Sequence, residues 1–395
     1  MSKGVALNAA RMKNRNIRRV MEELRISPFS RSQLATRMGL SRAAISSIVD
    51  SLIQENVVIE GDVIASNTAG RSRTPLFWNS DAFFCVGVIL RRGYFGVSLY
   101  KFDGTLIYVE RKNIDDSYSH ASHILADIYK MIDGAIIKYK PKGRLLGIGV
   151  GAPGPLNAKA GVIENPTNLR ILHKTPIIAP LHERYHCPVV MANDACAMAL
   201  AELSFGVKDR YNNYFVLEVT GGIGGGLVLD QKVIRGAYGN GNEVGHSTLN
   251  IFGERCQCGN VGCAELYATV DAIVQKAHKY NSKLKSWKDI VDAAEAGETF
   301  AADVIKEEAF YLSSLCINLL NAFEIQAILL SGIEICYQPY LLIQMIQEQI
   351  PGRLLLKKNR KIDILPSSLD ENADALSAAN LAIDNYLETF EVESY

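Results

Sequence analysis

The segment from Glu254 to Glu265, ERCQCGNVGCAE, follows GNEVGHSTLN at residues 241–250 and puts Cys256, Cys258 and Cys263 within eight residues. His246 lies ten residues before the first of them, and Gly259 and Gly262 let the loop curl tightly. In a reducing compartment, thiols clustered in this way read as metal ligands. One imidazole and three thiolates form a tetrahedral set suited to Zn2+ with no open position, the mark of a structural site. A redox switch would require an exposed thiol of low pKa, and nothing in the sequence establishes one. Cys85, Cys187, Cys196, Cys316 and Cys336 are scattered in apolar surroundings and read as small core residues.

Around this segment lies a chain of 395 residues, too long for one core, so two or three domains are expected. With 48% hydrophobic and 21% charged residues it has the composition of a soluble globular protein. No apolar leader opens it. The most apolar stretch, Ile317 to Ile335, carries Asn318, Asn321, Glu324 and Glu334, so it reads as a buried strand with a flanking helix. A cytoplasmic location is expected. The zero net charge conceals an asymmetry: residues 1–80 hold twelve Lys/Arg against six Asp/Glu, and the first twenty residues hold six bases and no acid. That split suggests a polyanion-binding head on a mildly acidic body.

The head has its own pattern. Ile17, Val20, Met21 and Leu24 fall on one helical face before Pro28. Ser30 and Gln33 form a capping box opening a short helix to about Met38; Gly39 supplies the turn, and Ser41 caps a longer helix to about Glu55. There Ile45, Ile48, Val49 and Leu52 make the buried stripe, which leaves Arg42, Ala43, Ser46 and Ser47 facing outward beside Ser41. A basic residue among small side chains suits a helix pressed against base edges. VVIEGDVIAS and TPLFWN then pair as strands whose connecting loop holds Gly70, Arg71 and Arg73, a wing placed for phosphate or minor-groove contact. Residues 1–80 are therefore expected to be a winged helix-turn-helix that binds double-stranded DNA.

From Phe83 the pattern turns to strands, FFCVGVIL, YFGVSLY and TLIYVER, then a helix near 120–140 and the strand LLGIGVGAPGPL. A glycine-bearing hairpin recurs at YFVLEVTGGIGGGLVLD from Tyr214, so two similar α/β halves facing a cleft are expected. PVVMANDACAMALAEL ends a strand at Asn193-Asp194 and enters a helix, the location where α/β sheets hold ligands. The end of the chain, ALSAANLAIDNYLETF, reads as an apolar-faced helix packing back on the first half.

NEVGHSTL with CQCGNVGCAE resembles the signature of the ROK family of sugar kinases and sugar-responsive repressors, and the winged head resembles its repressor branch of NagC/Mlc/XylR type. The resemblance implies a two-lobed actin-like ATPase fold, with lobe 1 at residues 81–194 plus a returning helix at about 372–390, and lobe 2 with the metal motif at 195–371. It also implies a structural Zn2+ on His246, Cys256, Cys258 and Cys263. A sugar would be held by His246 through its second ring nitrogen, by the flanking Glu243 and Glu265, by Asn193 and Asp194, and by Asn168, all of them able to pair with hydroxyls. A homodimer or higher homo-oligomer on operator DNA, with a sugar effector and no membrane partner, completes the expectation.

Asp194 also matches the catalytic base of the family's kinases, so a sugar kinase is the alternative. Those kinases carry Asp-x-Gly-Gly-Thr in the first hairpin, where this chain has GVILRRGYFGV at 87–97, with neither acid nor glycine pair. Gly221 to Gly226 keep the second glycine run, and LLSGIEI at 329–335 has one glycine where kinases show two. The balance favours a regulator without enzymatic activity over a kinase, and over a plain metal-stabilised DNA-binding scaffold without a ligand.

Overall fold

The structure is a computed structural model describing residues 2–63, 73–166, 169–207, 210–332, 335, 337–355 and 361–390. The head comprises α1 (Ser2–Ile26), β1 (Phe29–Ser30), α2 (Arg31–Met38), α3 (Arg42–Gln54), β2 (Val58–Glu60) and β3 (Pro75–Trp78). Local chemistry sets its boundaries. The Ser30 amide donates to Gln33 Oε1 at 2.9 Å and the Gln33 amide to Ser30 Oγ at 3.4 Å, so both arms of the capping box form. Gly39 ends α2 at φ +67°, a left-handed conformation that costs glycine little, and Ser41 Oγ caps α3 by accepting from the Ala44 amide at 3.2 Å. The strands pair antiparallel in the order β1-β3-β2, completing the winged helix-turn-helix. Ile17, Val20, Met21 and Leu24 of α1 and Ile45, Ile48, Val49 and Leu52 of α3 are all buried, as their spacing requires.

The body is one topology used twice. In the first sheet β4 (Phe83–Arg91), β5 (Tyr94–Lys101) and β6 (Leu106–Asn113) meander, and β7 (Arg144–Ala152) and β11 (Val189–Asn193) add parallel strands, in the order β11-β7-β4-β5-β6. A small antiparallel sheet of β8 (Leu156–Asn157), β9 (Val162–Ile163) and β10 (Thr175–Pro176) interrupts the chain between them. In the second sheet β12 (Tyr214–Val219), β13 (Ile223–Leu229) and β14 (Lys232–Ile234) meander, and β15 (Ala327–Ser331) and β16 (Asp363–Pro366) run parallel, in the order β14-β13-β12-β15-β16. Both sheets thus follow one strand plan, the two-lobed actin-like arrangement.

Alternate side chains of β4 point to opposite layers. Phe84, Val86 and Val88 face α4 (Ala121–Tyr139), while α5 (Ile178–Tyr185) closes the same apolar layer. Cys85 and Ile89 face α12 (Ala373–Thr389). That helix sits so close that a Cβ at Gly149 would stand 1.9 Å from Ala378 O. In the second lobe α6 (Asp194–Ala201) continues into a π-helical turn, Glu202–Gly206. There α7 (Glu265–Ala268), α8 (Val270–Tyr280), α9 (Trp287–Glu295), α10 (Thr299–Phe323) and α11 (Tyr340–Gln349) bury one apolar cluster with β12 and β15. The stretch from Ile317 divides between the end of α10 and β15, and no helix among the described residues is long and apolar enough to cross a membrane.

Head and body share a core. Met21, Leu76 and Trp78 join Phe83, Phe102, Ile383 and Leu387 in one apolar cluster, with Trp78 stacked on Phe102 at 4.3 Å.

Glu308, buried in α10, has no partner for either carboxylate oxygen, and burial pushes its pKa up to about 8. The folded state therefore keeps a proton that the unfolded chain loses near pH 4.5, so stability falls between those pH values and levels off above the upper one. Glu308→Leu is expected to raise the melting temperature, with the gain at pH 8 exceeding that at pH 5 by about 4 °C in scanning fluorimetry.

Candidate functional site

Between the two sheets lies a cleft of about 860 Å³, walled by the ends of β4, β11, β12 and β15 and by the loops that follow them. Among the described residues eight carboxylates line it, including Asp194, Glu218, Glu243 and Glu265, against two arginines, Arg91 and Arg92. Unpaired carboxylates at this density would repel one another and lose hydration, so buried cations must compensate. Arg91, at the end of β4, meets that need. Its Nη1 lies 2.7 Å from Glu218 Oε2 and 3.2 Å from Asp194 Oδ2. Burial opposes its charge, but Glu218 and Asp194 outweigh burial and hold the guanidinium firmly protonated. Burial raises the Asp194 pKa, Arg91 draws it down and Glu218 raises it again; the balance lies above the ordinary carboxylate range. Arg92 crosses the cleft as well, donating to Gly221 O at 2.7 Å and standing 3.3 Å from Asp271.

Asn193 and Asp194 sit where β11 becomes α6. Asn193 Oδ1 accepts from the amides of Ala195 and Cys196 at 3.0 and 3.2 Å, so the helix uses its carbonyl and its NH2 remains to donate. This narrows the pairing with hydroxyls expected of that side chain to donation alone. Asp194 Oδ1 accepts from the Ala195 amide at 2.9 Å. A Cβ on Gly154 would meet Glu243 Oε1 at 2.7 Å and Asn193 Nδ2 at 3.4 Å, which brings these two side chains together beside one glycine. Glu243 is open to the cleft, yet the enclosing protein, with Asp194 and Glu265, pushes its pKa up to about 7. Glu265 opens α7; its Oε1 accepts from the Ile223 amide at 3.1 Å, and Oε2 lies 3.7 Å from His246 Nδ1. Asn168 lies outside the described residues.

The cysteine loop folds as a knuckle. The Cys256 amide donates to Asn260 O at 2.8 Å, and Gly262, at φ +63°, lies where a Cβ would stand 1.7 Å from Asn250 O. His246, Cys256, Cys258 and Cys263 converge, with donor atoms within 4.8 Å of one another, into a group that could hold a metal ion. The Sγ atoms of Cys258 and Cys263 are 3.7 Å apart, and Cys256 Sγ lies 3.8 Å from His246 Nδ1. His246 and Glu265 also line the cleft, so the knuckle forms part of its wall.

In the head, Ser41, Arg42, Ala43 and Ser47 are exposed and Ser46 is half-buried on the outer face of α3, while Arg73 is exposed beside the wing. Arg71 lies outside the described residues. Glu218 escaped the sequence reading, although an acid inside the apolar run YFVLEV is a signal that could have found it. Asp271 carried no such signal.

The profile of the ROK family matches residues 86–385. The xylose repressor of Bacillus spizizenii is 31% identical over 371 residues, covering 93% of this chain and 94% of the repressor. A crystal structure of a ROK family transcriptional regulator, a homologue of the Escherichia coli MLC protein, superposes with a TM-score of 0.81 at 26% identity, covering 95% of this chain and 97% of that one. A ROK family glucokinase from Streptomyces griseus, crystallised with glucose and AMPPNP, shares the fold at a TM-score of 0.67 and 23% identity; it covers 76% of this chain and 99% of its own.

Replacing Arg91 with Met would leave Asp194 and Glu218 buried without their cation. The melting temperature is expected to fall by about 8 °C at pH 7.5 and by less at pH 5, where protonation of Asp194 relieves the repulsion.

Proposed function

This chain belongs to the ROK family, and we propose that it is a sugar-responsive transcriptional repressor without kinase activity. The observation that carries this reading is a winged helix-turn-helix sharing one apolar core with a two-lobed body whose cleft is lined by carboxylates, Asn193 and His246, groups able to pair with hydroxyls. The regulator of the same family covers nearly the whole chain, whereas the glucokinase leaves about a quarter of it unmatched.

A sugar in the cleft would find donors and acceptors from both lobes. Asn193 NH2 would donate, Asp194, Glu243 and Glu265 would accept from hydroxyls, and His246 would present Nε2 while Nδ1 faces the thiolates. Asn168 is proposed as a further sugar contact. The knuckle fits Zn2+. A tetrahedron with bonds of about 2.3 Å to sulfur and about 2.0 Å to nitrogen has S···S edges near 3.8 Å and N···S edges near 3.5 Å. The observed 3.7 and 3.8 Å support that assignment. With all four positions filled by protein, the ion would act as a cross-link, fixing His246 and the adjoining Glu265 against the cleft.

Closure on the sugar would shift the population of lobe arrangements and, in a homodimer, the spacing of two heads on operator half-sites. Arg42, Ala43, Ser46 and Ser47 would read base edges; Ser41, Arg71 and Arg73 would contact the backbone or minor groove. A kinase remains the second reading because Asp194 sits at a helix start inside the cleft. Against it, Arg91 pairs with that carboxylate and the first hairpin turn holds two arginines where kinases carry glycines.

Thermal-shift screening against D-xylose, D-glucose and N-acetyl-D-glucosamine is expected to yield at least one stabilising sugar, and that sugar should alter the mobility of the protein bound to its operator. Phosphate transfer from ATP to such a sugar would replace this reading with the kinase. Metal analysis should find one zinc per chain. Cys258→Ser should lose it and weaken sugar binding by about tenfold or more in calorimetry, and unchanged affinity would sever the knuckle from the sugar site. Arg42→Ala should weaken operator binding by about tenfold and relax the sequence preference at the base pair it reads, whereas Arg73→Ala should weaken binding to all sequences alike and reduce its salt dependence by about one unit of slope.

A further inference from the structure

The end of α1 is held in an unusual way. Arg25, in its last turn, donates from Nη2 to Asn380 Oδ1 of α12 at 2.6 Å. Its guanidinium lies 4.2 Å from the Phe205 ring and 5.5 Å from the ring of Trp78 on the wing. Its Nε is buried without a hydrogen-bond partner. Asn380 in turn donates to Ser204 Oγ at 3.2 Å. Ser204 and Phe205 both belong to the π-helical turn Glu202–Gly206 that continues α6.

The same turn also contacts a residue of the cleft wall. α6 starts at Asp194, and the buried Glu202 accepts from Ser367 Oγ at 2.6 Å and from the Ser368 amide at 2.9 Å. Ser367 follows β16 and lines the cleft in the second lobe. A Cβ at Gly206 would stand 2.0 Å from Glu202 Oε2, so the turn is built around that carboxylate. One π-helical turn, a geometry rare enough to mark functional joints, therefore touches the cleft rim through Glu202 and the head through Phe205.

We propose that Arg25 is a positioning residue that couples the DNA-binding head to the state of the cleft, receiving it through the turn at Glu202–Gly206. Contact at Asp194 and movement of the Ser367–Ser368 loop shift the turn. Phe205 and Asn380 pass that shift to Arg25, whose enclosed guanidinium cannot relax on its own, and α1 follows. Packed contacts of this kind switch between discrete arrangements rather than deforming smoothly. The inference rests on the sugar-effector reading above.

Trp78, which stacks against the body and donates from Nε1 to Met21 O at 3.0 Å, reports this seam. Trp287→Phe leaves it as the sole tryptophan of the two in the chain. In that background D-xylose, D-glucose and N-acetyl-D-glucosamine are titrated in parallel by calorimetry and by Trp78 emission. A sugar that binds is expected to shift the emission of the parent. In Arg25→Lys and Phe205→Leu, which attack the contact from its two sides, affinity should stay within about threefold while the emission change falls at least about fivefold. If one variant fails to fold, the other decides. A full emission response in a folded variant, or no response in a parent that binds sugar, overturns the coupling and leaves the effector reading intact. Absence of binding to all three sugars overturns the effector reading, and the coupling with it.

Discussion

A cleft walled by carboxylates must hold them close together although they repel one another and resist burial. Arg91 reconciles those demands. Its guanidinium joins Glu218 on the first strand of the second sheet to Asp194 at the end of the first, with 2.7 and 3.2 Å contacts in a largely dehydrated setting. A buried ion pair of this kind adds little stability relative to an apolar replacement, but removing one member leaves the others stranded. What it secures is arrangement: the two lobes meet across an ion-paired seam, and Asp194 is fixed in direction by Arg91 on one oxygen and the Ala195 amide on the other.

The knuckle addresses a different difficulty. Much of the segment from Ser247 to Val261 is exposed, including Ile251 and Phe252, so it buries little apolar surface to offset the entropy of ordering it. Four ligand atoms drawn into one small volume can supply that missing order, because metal binding free energy becomes folding free energy. The backbone bridges Thr248–Cys263 and Arg255–Val261 close the loop from within. Its functional consequence lies at the edge: His246 and Glu265 belong to knuckle and cleft together, and Glu265 is further tied to the β13 amide of Ile223.

The head is bound to the body through packing rather than through a linker alone. α12 presents Ala375, Ala378 and Ala382 to the first sheet while Asn380, Asp384 and Glu388 reach α1 through Arg25 and Arg18. Small residues allow the close approach on the first side; polar ones specify orientation on the other. A change in the first sheet or in α6 must therefore be accommodated at the head, because close-packed interiors transmit strain.

What the sequence determined by itself were features whose causes lie within a few residues of their effects. The 3.6-residue spacing of Ile17 to Leu24 and of Ile45 to Leu52, the Ser30–Gln33 box, the Gly39 turn and the Ser41 cap are local, and each formed at the residues that encode it. Cys256, Cys258 and Cys263 were legible because three ligands of one group lie within eight residues. The repeated glycine hairpin likewise announced two related halves. Only the tertiary structure decided which groups face one another across long loops. Arg91 finds Glu218 far along the chain, Glu202 finds Ser367, Arg25 finds Asn380, and Asn193 spends its carbonyl on a helix start instead of the cleft. Sequence periodicity records which face of an element is apolar, but the partner of a buried charge is chosen by how two folded layers meet, and no local pattern carries that information.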